Sequence, residues 1–238
     1  MVDKLVIIGP AWPLRGGLAA FDEKLASTFS NKGITTSIET FSLQYPSFLF
    51  PGTTQYTDAP APKNILIHVS INSINPFNWI KIGLKLKAQK PNIIIVRYWL
   101  PFLAPCLGTI CRIAKWNNKS TKILAIIDNM IPHEKRIGDH WFTKYFAGCV
   151  DGFLTMSEKV KKDVRVFSSK PILVSPHPIF DHFGLPITKQ EARKILGIDP
   201  SSKLILFFGF IRKYKGLDLL LEAMNSSAIK TLGVKLMI

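Results

Sequence analysis

The chain has 238 residues, 47% of them hydrophobic, and its 31 Lys and Arg against 16 Asp and Glu give a formal net charge of +15. This length and apolar content suit one large or two small globular domains and exclude a disordered chain. The charge favours polyanionic partners, namely nucleic acid, anionic lipid or a phosphorylated sugar donor. No nucleic-acid partner is expected, because the sequence shows no RNA-binding aromatic signature, zinc-finger spacing or basic zipper.

The cysteines and the apolar segments predict the compartment. Cys106, Cys111 and Cys149 are odd in number and have neither metal-ligand nor redox-pair spacing, which is typical of buried thiols in a reducing compartment. The apolar segment 99–114 contains two prolines and an arginine and is shorter than the about 20 residues that span a bilayer. The apolar run 5–8 is too short for a signal peptide. We therefore expect a cytoplasmic protein.

Short apolar runs rich in β-branched residues predict a parallel sheet. Helical segments separate most of these runs, which is the pattern of a doubly wound α/β domain. Seven strands are predicted between residues 1 and 175: Leu5–Gly9, Ile34–Phe41, Ile65–Val69, Ile93–Val96, Ile123–Ile127, Gly152–Thr155 and Ile172–Val174.

The loop after the first strand reads GPAWPLRGG over residues 9–17. Gly16 and Gly17 directly precede a predicted helix, so backbone N–H groups can approach a ligand at its positive end. The loop is not a dinucleotide fingerprint, because Gly9 and Gly16 are seven residues apart with two prolines between them. A purely structural loop remains the alternative.

Two further segments allow a binding or a packing interpretation. The tract 42–62 is long and rich in proline and aromatic residues, which could stack on a saccharide or lipid acceptor or cover the core. The helix predicted over 78–88 places Trp79, Ile82 and Leu86 on one stripe opposite two lysines. Such a helix can lie on an anionic membrane, or it can pack its stripe on the sheet and expose its lysines.

Polar residues follow the fifth strand in the segment IIDNMIPHEKRIGD, which covers residues 126–139. Asp128, Asn129, His133 and Glu134 come just after the strand's carboxyl end, where open α/β sheets bind their ligands. A helix cap or a turn is the alternative for each of them taken alone.

The segment 204–223 predicts a strand, a charged turn and a helix. Leu204 to Phe208 form an apolar run that ends at Gly209, and Arg212 and Lys215 precede the amphipathic helix. Cations at a strand-to-helix turn favour an anionic ligand. The chain enters this second domain near residue 175, and 176–238 is predicted to be a linker and an incomplete domain, since one strand pair cannot bury both faces of a sheet.

The motifs taken together resemble the family 4 retaining glycosyltransferases, which have the GT-B fold. They are GPAWPLRGG, LQYPSFLFPG, RYWLPFLAP, IIDNMIPHE, FLTMSE and FFGFIRKYKGLDLLLEA, in that order along the chain. The resemblance implies two Rossmann-like domains facing each other across a cleft, with the acceptor mainly on the first and the nucleotide-sugar mainly on the second. This chain would hold the complete first domain and the first part of the second. Neither a metal nor another cofactor is expected.

The resemblance also implies roles for individual residues. Many family members carry a histidine where this chain has Asp128, and His133 follows five residues later, so these two are the catalytic candidates. The implied donor-binding residues are Gly16, Gly17, Gly209, Arg212 and Lys215. The implied acceptor-side residues are Arg15, Tyr45 and Glu134.

The implied activity is transfer of a sugar, with retention, from a nucleotide-diphosphate sugar to a lipid-linked or cell-envelope saccharide at the inner membrane face. A peripheral contact with an anionic membrane would accompany it. The family's pair of glutamates, spaced eight apart, falls beyond the last residue, so the 238-residue chain is expected to show little activity alone. A GT-B sugar-nucleotide epimerase and a non-catalytic basic membrane module are the alternatives.

Overall fold

The structure is a computed structural model that describes residues 2–46, 54–118, 120–132, 136–179, 184–209 and 211–238. The chain forms two compact units, residues 1–177 and residues 178–238. We describe each unit by itself.

Unit 1 is built on a seven-stranded parallel sheet with the strand order β3-β2-β1-β4-β5-β6-β7. The sequence-predicted parallel sheet is confirmed. The order reverses direction between β1 and β4, which makes the carboxyl ends of these two strands the topological switch point. The strands are β1 Lys4–Ile8, β2 Thr35–Leu43, β3 Leu66–Asn72, β4 Ile93–Tyr98, β5 Lys122–Ile127, β6 Gly152–Thr155 and β7 Ile172–Val174.

Helices cover both faces of the sheet and divide the core in two. The helices of unit 1 are α1 Gly17–Asn31, α2 Pro76–Gln89, α3 Ala104–Lys115, α4 Asp139–Cys149 and α5 Glu158–Arg165. Side chains alternate along β1, so Leu5 and Ile7 pack with α1 while Val6 and Ile8 join the larger core under α2 to α5. A strand buried on both faces is apolar at every position, which is why the runs were visible in the sequence.

Helix α2 packs the predicted apolar stripe against the sheet. Asn75 caps it by accepting hydrogen bonds from the amides of residues 77 and 78 at 3.0 and 3.3 Å. Ile82 and Leu86 are buried, and Trp79 is half-buried against the same core. The packing interpretation of this stripe is therefore confirmed, and the interpretation that the stripe itself lies on a membrane is wrong.

Unit 2 contains a short parallel pair of strands. Its elements are α6 Lys189–Ile195, β8 Lys203–Leu206, α7 Leu217–Met224, α8 Ser227–Thr231 and β9 Val234–Met237, with β8 paired to β9. Among the described residues of this unit, Leu217 is the one buried hydrophobic side chain. In the described part of the whole chain, no helix has the length and apolarity needed to cross a membrane.

Candidate functional site

Three ionisable side chains meet at the switch point of unit 1. Arg97, near the carboxyl end of β4, is 1% exposed and holds Asp128, the first residue after β5, with two parallel hydrogen bonds. Its Nε donates to Oδ2 and its Nη2 to Oδ1, both at 2.6 Å. On the other side, Nη1 lies 3.5 Å from Oδ1 of Asp22, a fully buried residue of α1. The guanidinium thus joins strands β4 and β5 to helix α1.

In this network, the Arg97 guanidinium contacts two carboxyl groups, those of Asp22 and Asp128. Burial raises the pKa of Asp22 well above its usual value, more than the Arg97 charge lowers it. Within the described structure, Oδ2 of Asp22 has no hydrogen-bond partner. Burial raises the pKa of Asp128 as well, while Arg97 and His177 oppose the rise. The bidentate contact favours the ionised form of Asp128, whereas burial favours the protonated form of Asp22.

An aromatic ring completes the surroundings of the guanidinium. The Arg97 Cζ atom lies 4.1 Å from the centre of the Phe21 ring, close enough for a cation–π interaction. The edge of the same ring meets the exposed His177, with ring centres 5.9 Å apart. The network therefore reaches water on the side of Asp128 and His177.

Gly9, the residue after β1, lets α1 approach this network. A Cβ atom at this position would lie 2.2 Å from Oδ2 of Asp22 and 3.0 Å from Cβ of Arg97. A larger residue would displace the side chain of Asp22 or Arg97, so the first glycine of the GPAWPLRGG loop has a packing role.

The first turn of α1 is open. Gly16 has a φ of 116°, which other residue types rarely adopt, and no side chain of the described structure caps the helix. No acidic residue lies in the first turn, and Gly16 and Gly17 are exposed. The loop before them is firmly held, since the amide of Ala11 donates to Thr40 Oγ1 at 2.9 Å and that of Trp12 to Glu23 Oε1 at 2.7 Å. A fixed helix N-terminus without a cap suits an anionic ligand.

The acceptor-side candidates have different environments. The side chain of Arg15 is exposed beside Gly16, and its amide donates to the carbonyl of Gln55 at 3.0 Å. Tyr45 follows β2, accepts a hydrogen bond from Nε1 of Trp99, and is buried enough to raise its pKa. Tyr45 is thus packed among other aromatic side chains and does not present an exposed aromatic surface on which a ligand could stack. The candidates His133 and Glu134 lie outside the described residues.

The donor-side candidates of unit 2 share one turn. Gly209 has a φ of 110°, and a Cβ on it would come within 2.7 Å of Nζ of Lys215. The amide of Lys215 donates to the carbonyl of Arg212 at 3.0 Å, and Gly216 then begins α7 with a φ of 69°. Over the described ranges, no ion pair or side-chain hydrogen bond is found for either cation. Within the described residues, Lys215 therefore lies beside Gly209 without an ion-pair partner, and Arg212 precedes it in the same turn.

Arg97, Asp22 and His177 belong to the candidate site and were not predicted from the sequence. A signal was present, because Arg97 interrupts the apolar run of β4 and Asp22 lies among the inward-facing residues of α1. A charge at a buried position requires a partner. Across the part of the chain that the structure describes, no group of three or more His, Cys, Asp or Glu side chains could hold a metal.

No protein-family model and no curated protein matches the chain. Several solved structures share its fold. A UDP-N-acetylglucosamine 2-epimerase from Rickettsia bellii has a TM-score of 0.53 at 13% identity, over all of this chain and 69% of its own. Staphylococcus aureus MnaA with UDP has a TM-score of 0.54 at 13% identity, over 99% and 62%. A structure described as "Trehalose-6-phosphate from E. coli bound with UDP-2-fluoro glucose" has a TM-score of 0.57 at 11% identity, over 98% and 64%.

These likenesses define the class of the fold. The chain is an α/β protein with a doubly wound parallel sheet, and more particularly it has the GT-B fold. It spans 62–69% of the length of the three structures named above. Identities of 11–13% establish the fold alone and leave the family and the substrates to proposal.

Proposed function

We propose that the chain belongs to a nucleotide-sugar-dependent glycosyltransferase of the retaining type. It would move a sugar from a nucleotide-diphosphate donor to a lipid-linked or other cell-envelope saccharide on the cytoplasmic side of the membrane, without a metal or another cofactor. The observation that carries the proposal is the turn of unit 2, where Lys215 lies beside Gly209 and Arg212 precedes it, with no ion-pair partner for either cation among the described residues.

This turn has the chemistry that a diphosphate leaving group needs. Negative charge develops on the leaving group as the glycosidic bond breaks, so fixed cations nearby lower the barrier. The positive φ of Gly209 and its contact distance to Lys215 bring the backbone and the ammonium group within reach of one phosphate.

Unit 1 would contribute positioned groups of its own. The open N-terminus of α1 at Gly16 and Gly17 would bind an anionic part of a substrate. Both oxygens of Asp128 are engaged by Arg97, so within this proposal Asp128 orients a substrate hydroxyl and His133 contacts the donor sugar or the acceptor. Arg15, Tyr45 and Glu134 would contribute to the acceptor side.

Calorimetric titration of the chain with UDP, GDP, ADP and CDP tests the proposal. We expect saturable binding of at least one nucleotide, weakened about tenfold or more in Arg212→Ala/Lys215→Ala, because each charge-assisted contact to phosphate contributes substantially. The control Lys203→Ala/Lys230→Ala removes the same charge from other exposed positions of unit 2 and should bind like the unaltered chain. The proposal fails if no nucleotide binds, or if both double variants bind equally.

An epimerase is the second candidate, because the structures with this fold include UDP-N-acetylglucosamine 2-epimerases. The two reactions differ in their need for an acceptor. Incubation with UDP-N-acetylglucosamine alone, followed by proton NMR, would show inversion at the sugar C2 for an epimerase. A retaining transferase would leave the donor unchanged until a saccharide acceptor is added, and would then release the nucleotide diphosphate while the transferred sugar keeps its configuration.

A further inference from the structure

Two cysteines that are far apart in the sequence line the same cavity of unit 1. Cys111 lies on α3, and Cys149 is the last residue of α4. The cavity has a volume of about 470 Å³ and is open to solvent. Cys111 is fully buried in its wall, whereas Cys149 is partly exposed. The cavity therefore brings together an accessible thiol and a sheltered one.

Helices α3 and α4 approach closely beside these thiols. A Cβ atom on Gly108, one turn before Cys111, would lie 2.7 Å from the ring of Tyr145, one turn before Cys149. The Cys149 Sγ atom donates a hydrogen bond to the carbonyl of Phe146 at 3.0 Å and accepts one from the Cys111 thiol. Helix α4 ends at Cys149, and the next residue is extended. Two thiols in contact at the end of a helix can be joined with a small adjustment of the backbone.

The surroundings of Cys149 are positively charged. Nη2 of Arg112 donates to the carbonyl of Tyr145, and Nζ of Lys170 donates to that of Gly148 at 3.1 Å. These carbonyls lie at the C-terminal end of α4, where the helix dipole by itself disfavours a thiolate. The two cations therefore offset the dipole at the position where a negative charge on Cys149 would form.

The two thiols differ in acidity. The hydrogen bond from Cys111, followed by the charges of Arg112 and Lys170, lowers the pKa of Cys149 against the opposing effect of burial. The same hydrogen bond and burial raise the pKa of Cys111. Cys149 therefore ionises first while Cys111 keeps its proton. A partly exposed thiolate beside a second thiol is the arrangement that peroxides oxidise selectively.

We propose that Cys149 and Cys111 form a modification site that hydrogen peroxide converts to a disulfide. The Cys149 thiolate attacks one peroxide oxygen, so an S–O bond forms, the O–O bond breaks, and the departing hydroxide takes a proton from water. The Cys111 sulfur then attacks the sulfenic acid on Cys149. The S–S bond forms as the S–O bond breaks, and the proton of Cys111 leaves with the hydroxide as water. Both sulfurs are oxidised and the peroxide is reduced to water, and a small reducing thiol restores the pair by exchange.

Peptide mass spectrometry of the folded, reduced chain after treatment with hydrogen peroxide tests the proposal. We expect one intramolecular disulfide, between Cys111 and Cys149. With dimedone present, Cys111→Ala should accumulate an adduct on Cys149, because the thiol that resolves the sulfenic acid is missing. Cys149→Ala should give neither the adduct nor the disulfide. The matched control is Cys106→Ala, which should form the disulfide like the unaltered chain, because Cys106 is fully buried and burial raises its pKa.

A second pair of variants tests the role of the cations. In the Cys111→Ala background, Lys170→Met should slow adduct formation about threefold or more, because a smaller fraction of Cys149 is then thiolate. Lys144→Met removes an exposed lysine from α4 and should leave the rate unchanged. Equal melting temperatures would show that the variants keep the fold.

Several results would overturn the proposal. They are a chain whose thiols stay reduced, a disulfide that joins another pair or two chains, a Cys149→Ala variant oxidised as fast as the unaltered chain, and equal rates for Lys170→Met and Lys144→Met. Oxidation that occurs only in urea would also overturn it, because the folded cavity would then play no part. The proposal does not depend on the glycosyltransferase activity, and nucleotide titration of the reduced chain tests that activity separately.

Discussion

The substitution Arg97→Met tests whether the buried charge network organises unit 1. Methionine replaces the length of the side chain but removes the charge and its donors. The Asp128 side chain is 15% exposed and would lose both of its 2.6 Å partners, so a carboxylate would remain largely buried without compensation. Breaking a buried ion pair in this way typically destabilises a protein by about 3–5 kcal/mol. For a domain of this size, that corresponds to a fall in Tm on the order of 10 °C.

Urea unfolding at neutral pH, followed by far-ultraviolet circular dichroism, measures the effect. The double variant Arg97→Met/Asp128→Asn removes the stranded charge as well, and we expect it to recover most of the lost stability. Acid should also rescue the single variant. In it the folded pKa of Asp128 lies further above the unfolded value, so the carboxyl takes up a proton and the deficit shrinks as the pH falls through that folded pKa.

Two results would refute this reasoning. One is an Arg97→Met variant within about 1 kcal/mol of the unaltered chain, since that is the range of exposed ion pairs. The other is a double variant no more stable than the single one, which would mean that the loss comes from packing rather than from the isolated charge.

Three further predictions concern the same two units. Asp22→Asn should flatten the pH dependence of stability. The folded pKa of Asp22 lies well above 3.8, so the unaltered chain loses stability as the pH rises from about 4 through that folded value. Equal stability profiles of the two chains in urea titrations at different pH values would contradict this. Gly9→Ala should cost about 1–3 kcal/mol in thermal unfolding because its Cβ meets Asp22, and an unchanged Tm would mean that α1 can shift freely. Amides of β8 should exchange with deuterium faster than those of β1, because unit 2 buries only Leu217 among its described hydrophobic residues, and equal protection in mass spectrometry would contradict this.

The sheet could be predicted from the sequence because each of its strands has a pattern that is contained within a few consecutive residues. A parallel strand covered on both faces is an unbroken apolar run, and β1 and β4 show it within a few residues. The charged network has no such signal. Arg97 and Asp22 are 75 positions apart, and neither segment contains a sequence pattern that identifies the other as its partner.

The orientation of α2 shows a different limit of sequence reasoning. Its residues at 79, 82 and 86 and those at 77, 80 and 84 both follow helical spacing, so periodicity alone cannot say which row faces the core. In the structure, Ile82 and Leu86 are buried, whereas Phe77, Ile80 and Leu84 are exposed. Lys85 forms a 2.6 Å ion pair with the fully buried Glu39, although a lysine opposite the apolar stripe is predicted to be exposed to water.

The position of Asp22 connects the buried network to the open end of α1. Asp22 lies five positions after Gly17, a rise of about 7.5 Å along a helix, so the uncapped amides and the buried carboxyl belong to the same two turns. Gly9, the residue after β1, leaves the space that this carboxyl occupies, and Nη1 of Arg97 on β4 lies 3.5 Å from it. A movement of α1 would therefore change the surroundings of Asp22 at both strands that border the switch point. Amides fixed in this way need no reorganisation when an anion arrives, which is the condition under which backbone dipoles stabilise developing charge most effectively.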